Sequence, residues 1–219
     1  YFYTASSDGT GTFTAPTASG AYVLWYVSGA DRAILFRGAI SVTPFTGDLL
    51  APDEVMAGSQ FDVAWNGPDG AGDFVTIVAA GVTQWTNEDW FYTGEGPTGN
   101  LQASLEEGEY EIWYVAGSDR TIFARRPITL TPYEITLEAP AQVAAGDEVV
   151  IEWTGPNGMS DYLTIVLVGA GPAEYGEYRY TTEGSPITLT APSVPGDYEI
   201  RYNTDRNDTV LAKFAIRVT

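Results

Sequence analysis

The 219-residue sequence repeats itself, and the length of the repeat limits what it can fold into more than any other feature. "GAYVLWYVSGADRAILFRGAISVTP" at position 20 returns as "GEYEIWYVAGSDRTIFARRPITLTP" at 108 and as "GDYEIRYNTDRNDTVLAKFAIRVT" at 196, a period of 88 residues. Upstream, "APDEVMAGSQFDVAWNGPDGAGDFVTIVAAG" at 51 returns at 139 as "APAQVAAGDEVVIEWTGPNGMSDYLTIVLVG". A period this long is a domain, not one turn of a solenoid. Residues 46–133 and 134–219 are therefore two complete copies, and residues 1–45 carry only the second half of one. The junctions "TPF" and "TPY" are short and contain proline, which predicts a semi-rigid succession of units.

Each copy reads as strands. Phe61, Val63 and Trp65 alternate with polar neighbours, as do Val149, Ile151 and Trp153 in the next copy, and both runs end at a Gly-Pro turn. "DFVTIVAA" and "DYLTIVLV" are continuously apolar and β-branched, the pattern of a strand covered on both faces. In "GEYEIWYV", Tyr110, Ile112 and Tyr114 share one face. About seven short strands per copy, with no useful helical period, predict an all-β fold of tandem immunoglobulin-like β-sandwich domains, two complete and one half copy.

Composition narrows the chemistry. The sequence has no cysteine and no histidine, which removes disulfides, thiolate and imidazole metal sites, and His-based triads. Twenty-nine acidic residues against ten basic ones give a net charge of −19, and Lys213 is the only lysine. Such a surface repels nucleic acid and anionic membrane. No apolar run is long enough to span a bilayer. Because it begins with Tyr1 and not Met, the chain reads as a processed or trimmed product.

The order W-x-G-P, D-[FY]-x-T-I-V, a Tyr-containing strand, G-x-Y-E-I-x-Y and a closing A-[RK]-x-x-I-x-[LV]-T resembles the tandem immunoglobulin-like repeats of secreted or envelope-anchored bacterial proteins. Those repeats often accompany a von Willebrand factor A domain, whose signature is absent here. The pattern is also similar to sandwiches of the SKICH type and to the N-terminal domain of purple acid phosphatases, without any metal-binding histidine. The resemblance implies an extracellular or cell-surface, structural or adhesive role without catalysis.

Four tryptophans are candidate binding residues. Trp25 and Trp113 occupy equivalent positions, one step out of phase with the inward tyrosines, so they point away from the core. There they either form a partner- or glycan-binding face or pack beneath a loop. Arg201 takes that place in the last copy, and Trp85 and Trp90 add aromatic surface in "TQWTNEDWFYT". Asp73 and Asp161 recur before the apolar strand, with Asp69 or Asn157 four residues earlier. This pattern fits either a calcium site, calcium being the one cofactor such oxygen-rich turns suggest, or side-chain capping of a turn. Pairs such as Glu109 and Glu111 lie on a strand's outer face and lack the cleft that acid–base catalysis needs.

The half copy raises its own problem. It contains four strands' worth of sequence but lacks the strands of its partner sheet, so it should expose an apolar face. Either the missing part of the same chain covers it, or a neighbouring copy does so by strand addition. The expected function is a scaffold module of a larger surface protein or filament. The alternative is a module binding carbohydrate or protein through outward tryptophans.

Overall fold

The computed structural model describes residues 1–4, 9–86, 89–204 and 208–219, and the chain is all-β, with tandem immunoglobulin-like sandwiches. Repeat 1 contributes the hairpin β1 (Gly20–Val27) and β2 (Ile34–Val42). Repeat 2 holds β3 (Asp48–Leu50), β4 (Glu54–Met56), β5 (Gln60–Asn66), β6 (Phe74–Ala79), β7 (Trp90–Tyr92), β8 (Thr98–Gln102), β9 (Gly108–Val115) and β10 (Ile122–Thr131). Repeat 3 holds β11 (Thr136–Glu138), β12 (Gln142–Val143), β13 (Glu148–Thr154), β14 (Tyr162–Leu167), β15 (Tyr178–Tyr180), β16 (Ile187–Thr190), β17 (Gly196–Thr204) and β18 (Thr209–Val218).

Both complete repeats have one topology. A three-stranded sheet, β3-β5-β8 or β11-β13-β16, faces a five-stranded sheet, β4-β10-β9-β6-β7 or β12-β18-β17-β14-β15. The first strand is split, and its second piece pairs parallel to the last strand, as in Glu54↔Thr129 and Gln142↔Arg217. All other pairings are antiparallel.

The alternation in β5 and β13 sends Phe61, Val63, Val149 and Ile151 inward. They meet Tyr110, Ile112, Tyr114 and Tyr198, Ile200, Tyr202 from the facing sheets in two separate cores. Strand β6 is buried on both faces for a visible reason. Val75 and Ile77 enter the core, while Phe74 and Val78 join a second cluster on the outside of the sheet with Trp113 and Val115.

Three tyrosines tie the chain entering the hairpin strand to its own backbone. Tyr22 donates to the Ala18 carbonyl at 2.8 Å, Tyr110 to Glu106 at 3.2 Å and Tyr198 to Val194 at 2.9 Å. This is the tyrosine corner of immunoglobulin-like sandwiches, present in the half copy as well.

The half copy forms fewer strands than its sequence predicts. Repeat 1 has two strands among its described residues, not four. The reason is hydrogen bonding: β7 and β8, whose counterparts begin repeat 1, pair only with β6 and β5. Repeat 1 contains no counterpart of either, so these segments have no ladder to join.

Candidate interaction surfaces

The turn between β5 and β6 is built around one buried carboxylate. Asp73 accepts from the Gly70 amide (2.8 Å), the Gly117 amide (2.8 Å) and the Tyr114 hydroxyl (3.2 Å), and that hydroxyl itself accepts the Asp69 amide at 2.9 Å. Repeat 3 copies the arrangement, with Asp161 accepting from the Gly158 amide and the Tyr202 hydroxyl, and Tyr202 accepting the Asn157 amide. Asp69 and Asn157 sit at φ of 51° and 57°, a left-handed conformation that Asp and Asn tolerate better than most residues.

The tyrosine crosses closely enough that a Cβ at Gly67 or Gly155 would enter its ring, which accounts for the glycine in W-x-G-P. Burial, reinforced by the neighbouring Asp73 and Asp69 charges, pushes the Tyr114 phenol up to about 12, and burial beside Asp161 raises Tyr202 as well. The two recurring acids therefore have hydrogen-bond donors around them, as in side-chain capping of a turn. Among the described residues no group of three acidic, His or Cys side chains is arranged to hold a metal ion.

Trp113 does point away from the sandwich core, yet it is 0% exposed and cannot serve as a binding platform. The segment following β6 folds back over it. Thr76 anchors that segment by donating to the Asp89 carbonyl at 2.8 Å and accepting the Trp85 indole N–H at 3.3 Å. Trp85 is thus half-buried as part of the cover, with its ring 5.4 Å from Phe74. Asn87 and Glu88 of this segment lie outside the described residues. The Trp113 indole donates to Glu111 at 2.7 Å, and the Arg125 guanidinium lies 4.5 Å from its ring centroid.

In repeat 3 the same place holds Arg201, 1% exposed. Its Nε donates to Glu199 at 2.7 Å, while Nη1 and Nη2 donate to the carbonyls of Gly171 and Ala170. Lys213 completes the group at 2.9 Å from Glu199. Burial would raise the Glu199 carboxyl, but hydrogen bonds from Lys213 and Arg201 and their charges outweigh it and hold it below its ordinary value.

Trp25, by contrast, is 58% exposed, with Arg37 5.7 Å from its ring. The opposite face of the hairpin is uncovered too, through Leu24, Tyr26 and Ile40, whose counterparts Ile112, Tyr114 and Ile128 are core residues. Trp90 is 38% exposed on β7, the edge strand of its sheet, and makes an edge-to-face contact with Tyr92 at 4.6 Å. Sequence reasoning passed over the matching pair on β15, Tyr178 and Tyr180, although the pattern aromatic-x-Tyr-Thr recurs at Tyr1, Trp90 and Tyr178.

No family model matches the sequence, and no curated protein matches it. Among solved structures, the chain is similar to the Escherichia coli adhesin FdeC at 16% identity, covering 93% of this chain and 75% of that one, with a TM-score of 0.32. The FN1–FN3 domains of chicken CNTN1 match at 9% identity over 90% and 77%, with a TM-score of 0.29. A chimeric titin Z1Z2 tandem matches at 16% identity over 75% and 92%, with a TM-score of 0.27. Among the described residues, no helix is long and apolar enough to cross a membrane.

Proposed function

We propose that the chain is a non-catalytic extracellular scaffold module, part of a larger surface protein or filament, in which first-half strands from outside these 219 residues complete repeat 1. The uncovered β1–β2 hairpin carries this reading. Its two counterparts, β9–β10 and β17–β18, each have a third strand, β6 or β14, hydrogen-bonded alongside and a second sheet packed beneath. Strand addition supplies both hydrogen bonds and apolar cover to such an edge.

A direct contact between repeats 2 and 3 supports the scaffold reading. Gln102 accepts from the Met159 amide while donating to the Gly58 carbonyl, so one buried side chain bridges a loop of each unit. The acidic, cysteine-free composition is compatible with an extracellular setting.

The test uses segment 51–80, the first half of repeat 2, as a synthetic donor. Hydrogen exchange of the Gly20–Val42 amides should slow when the donor is added and stay fast with a Leu24→Glu, Ile40→Glu variant. Unchanged exchange in the parent chain would sink the completion model. The second reading, glycan binding at outward indoles, rests on the exposure of Trp25 and Trp90 and no longer on Trp113. Retention on a glycan array that disappears with Trp25→Ala and Trp90→Ala would favour it.

A further inference from the structure

The outer cluster of repeat 2 is built on five residues of its β9–β10 hairpin. Trp113 and Val115 are buried with Phe74 and Val78 of β6, and Ile122, Val82 and Trp85 pack against them. Arg120 places its guanidinium 5.1 Å from the Phe74 ring centroid and 5.5 Å from that of Trp85, while Arg125 lies over Trp113. Cations over aromatic faces are drawn to their negative quadrupole.

One period earlier all five are the same, as Trp25, Val27, Arg32, Ile34 and Arg37. Their geometry agrees. Arg37 lies 5.7 Å from the Trp25 ring centroid, and Arg32 keeps the left-handed turn of Arg120, with φ of 59° against 65°. Ala21 and Val23 replace Glu109 and Glu111, which removes two carboxylates from this face. Yet Trp25, Val27 and Ile34 are all exposed. The hairpin is built for a cover that none of the described residues provides.

One period later none of the five survives. Arg201, Asn203, Asp208, Val210 and Lys213 stand in their places, and the cover has changed with them: Phe74 becomes Tyr162, Val82 becomes Ala170 and Trp85 becomes Ala173. What the covering loop of repeat 3 offers is the carbonyls of Ala170 and Gly171, which take the Arg201 guanidinium. Against Trp25 and Val27 those carbonyls would find a single indole N–H, and a buried acceptor left without a donor costs free energy. Hairpin and cover therefore change as a matched pair.

The inner face adds a second demand. Tyr26 and Gly29 correspond to Tyr114 and Gly117, whose hydroxyl and amide both donate to Asp73. A segment that completes repeat 1 needs a carboxylate at that turn.

We propose that the segment completing repeat 1 from outside these 219 residues is a first half of the repeat 2 type. It carries an aspartate ahead of an apolar strand, an aromatic as that strand's first outward residue, and a tryptophan-bearing return segment laid over Trp25. This rests on the completion reading above and adds to it a choice of partner. A first half of the repeat 3 type is disfavoured by its outer cover, not by its strands.

The experiment fuses either residues 46–89 or residues 134–177 directly ahead of Tyr1 of the intact chain, so that each first half runs into the aromatic-x-Tyr-Thr strand as in its own repeat. Hydrogen exchange of the Gly20–Val42 amides reports completion, and exchange of the Trp25 indole N–H reports the outer cover. Fused 46–89 should slow the indole at least about tenfold more than 134–177, the factor expected for burying part of a large aromatic side chain. Trp85→Ala in the fused segment should remove that advantage while the hairpin amides stay slow. The triple variant Val23→Glu, Trp25→Arg, Arg37→Lys matches Glu199, Arg201 and Lys213, and its hairpin amides should be slowed more by 134–177. Equal indole protection by the two fusions, or an unreversed preference in the triple variant, would overturn the proposal and leave completion standing. Hairpin amides that exchange fast in both fusions would remove completion itself, and this proposal with it.

Discussion

Repeats 2 and 3 cover the outer face of the same sheet with opposite chemistry. In repeat 2 the buried piece is the Trp113 indole, packed under Trp85 and stacked by Arg125, with its single N–H on Glu111. In repeat 3 the buried piece is the Arg201 guanidinium, held by Glu199 and by two carbonyls of the covering loop. The backbone is the same and both side chains are removed from water. What the sandwich requires at this position is a filled, fully partnered volume, and neither an aromatic ring nor a charge is specifically needed. The two solutions differ in how they fail, since apolar burial is insensitive to pH while a buried ion pair depends on every member keeping its charge.

The sharpest way to break the comparison is to empty each position. Trp113→Ala should cost about 3–5 kcal/mol of repeat 2 stability, the usual loss for a large buried aromatic, measured by denaturant unfolding. Arg201→Met should cost less, because removing the guanidinium leaves Glu199 with Lys213 still beside it. A loss of about 2–4 kcal/mol is expected, and Glu199→Gln added to Arg201→Met should recover part of it.

Acid separates the repeats without mutation. The Glu199 carboxyl is held below its unfolded value, so its contribution is present above that value, near 4.5, and disappears as pH falls through the lower folded value. Repeat 3 should therefore lose stability in this acid window in proportion to Glu199, and Glu199→Gln should flatten the pH dependence. A profile unchanged by that substitution would show that the ion pair is not what stabilises the covering loop.

Alkali should affect both repeats alike. The Tyr114 and Tyr202 phenols are raised, so the stability linked to their protonated forms is complete below about pH 10, the ordinary value, and is lost as pH rises toward their folded values. Spectrophotometric titration should show two late tyrosines, absent in Tyr114→Phe with Tyr202→Phe. The smallest effect belongs to the corner: Tyr110→Phe or Tyr198→Phe should cost about 1 kcal/mol, one net hydrogen bond, and equally in either repeat.

Much of this architecture is legible before any coordinates. Alternation in β5 and β13 gives the inward residues, and the apolar run of β6 announces cover on both faces. Strand phase correctly turns Trp113 outward, but phase says nothing of what lies above a sheet, and only the return of the Trp85 segment buries it. The Asp73 lock was half legible: the turn chemistry lies in the sequence, whereas Tyr114, 41 residues away, comes to it only through the fold. The stacked tyrosines Tyr178 and Tyr180 escaped notice because aromatic residues on a three-residue strand carry no periodicity to read.

The parallel pairing of the split first strand with the last has a mechanical meaning. The chain enters each sandwich through the split first strand and leaves from the end of β10 or β18, so a pull on both ends drives the parallel pair β4–β10 or β12–β18 past one another. The ladder bonds then share the load in shear and give way together, where an antiparallel hairpin pulled from its open end would unzip one bond at a time. Equivalent bonds flank this ladder in both repeats, Thr129 N–H to the Asp53 carbonyl and Ala57 N–H to Thr131 in one, Arg217 N–H to Ala141 and Ala145 N–H to Thr219 in the other, so a stretched chain should meet the same shear-loaded clamp in each.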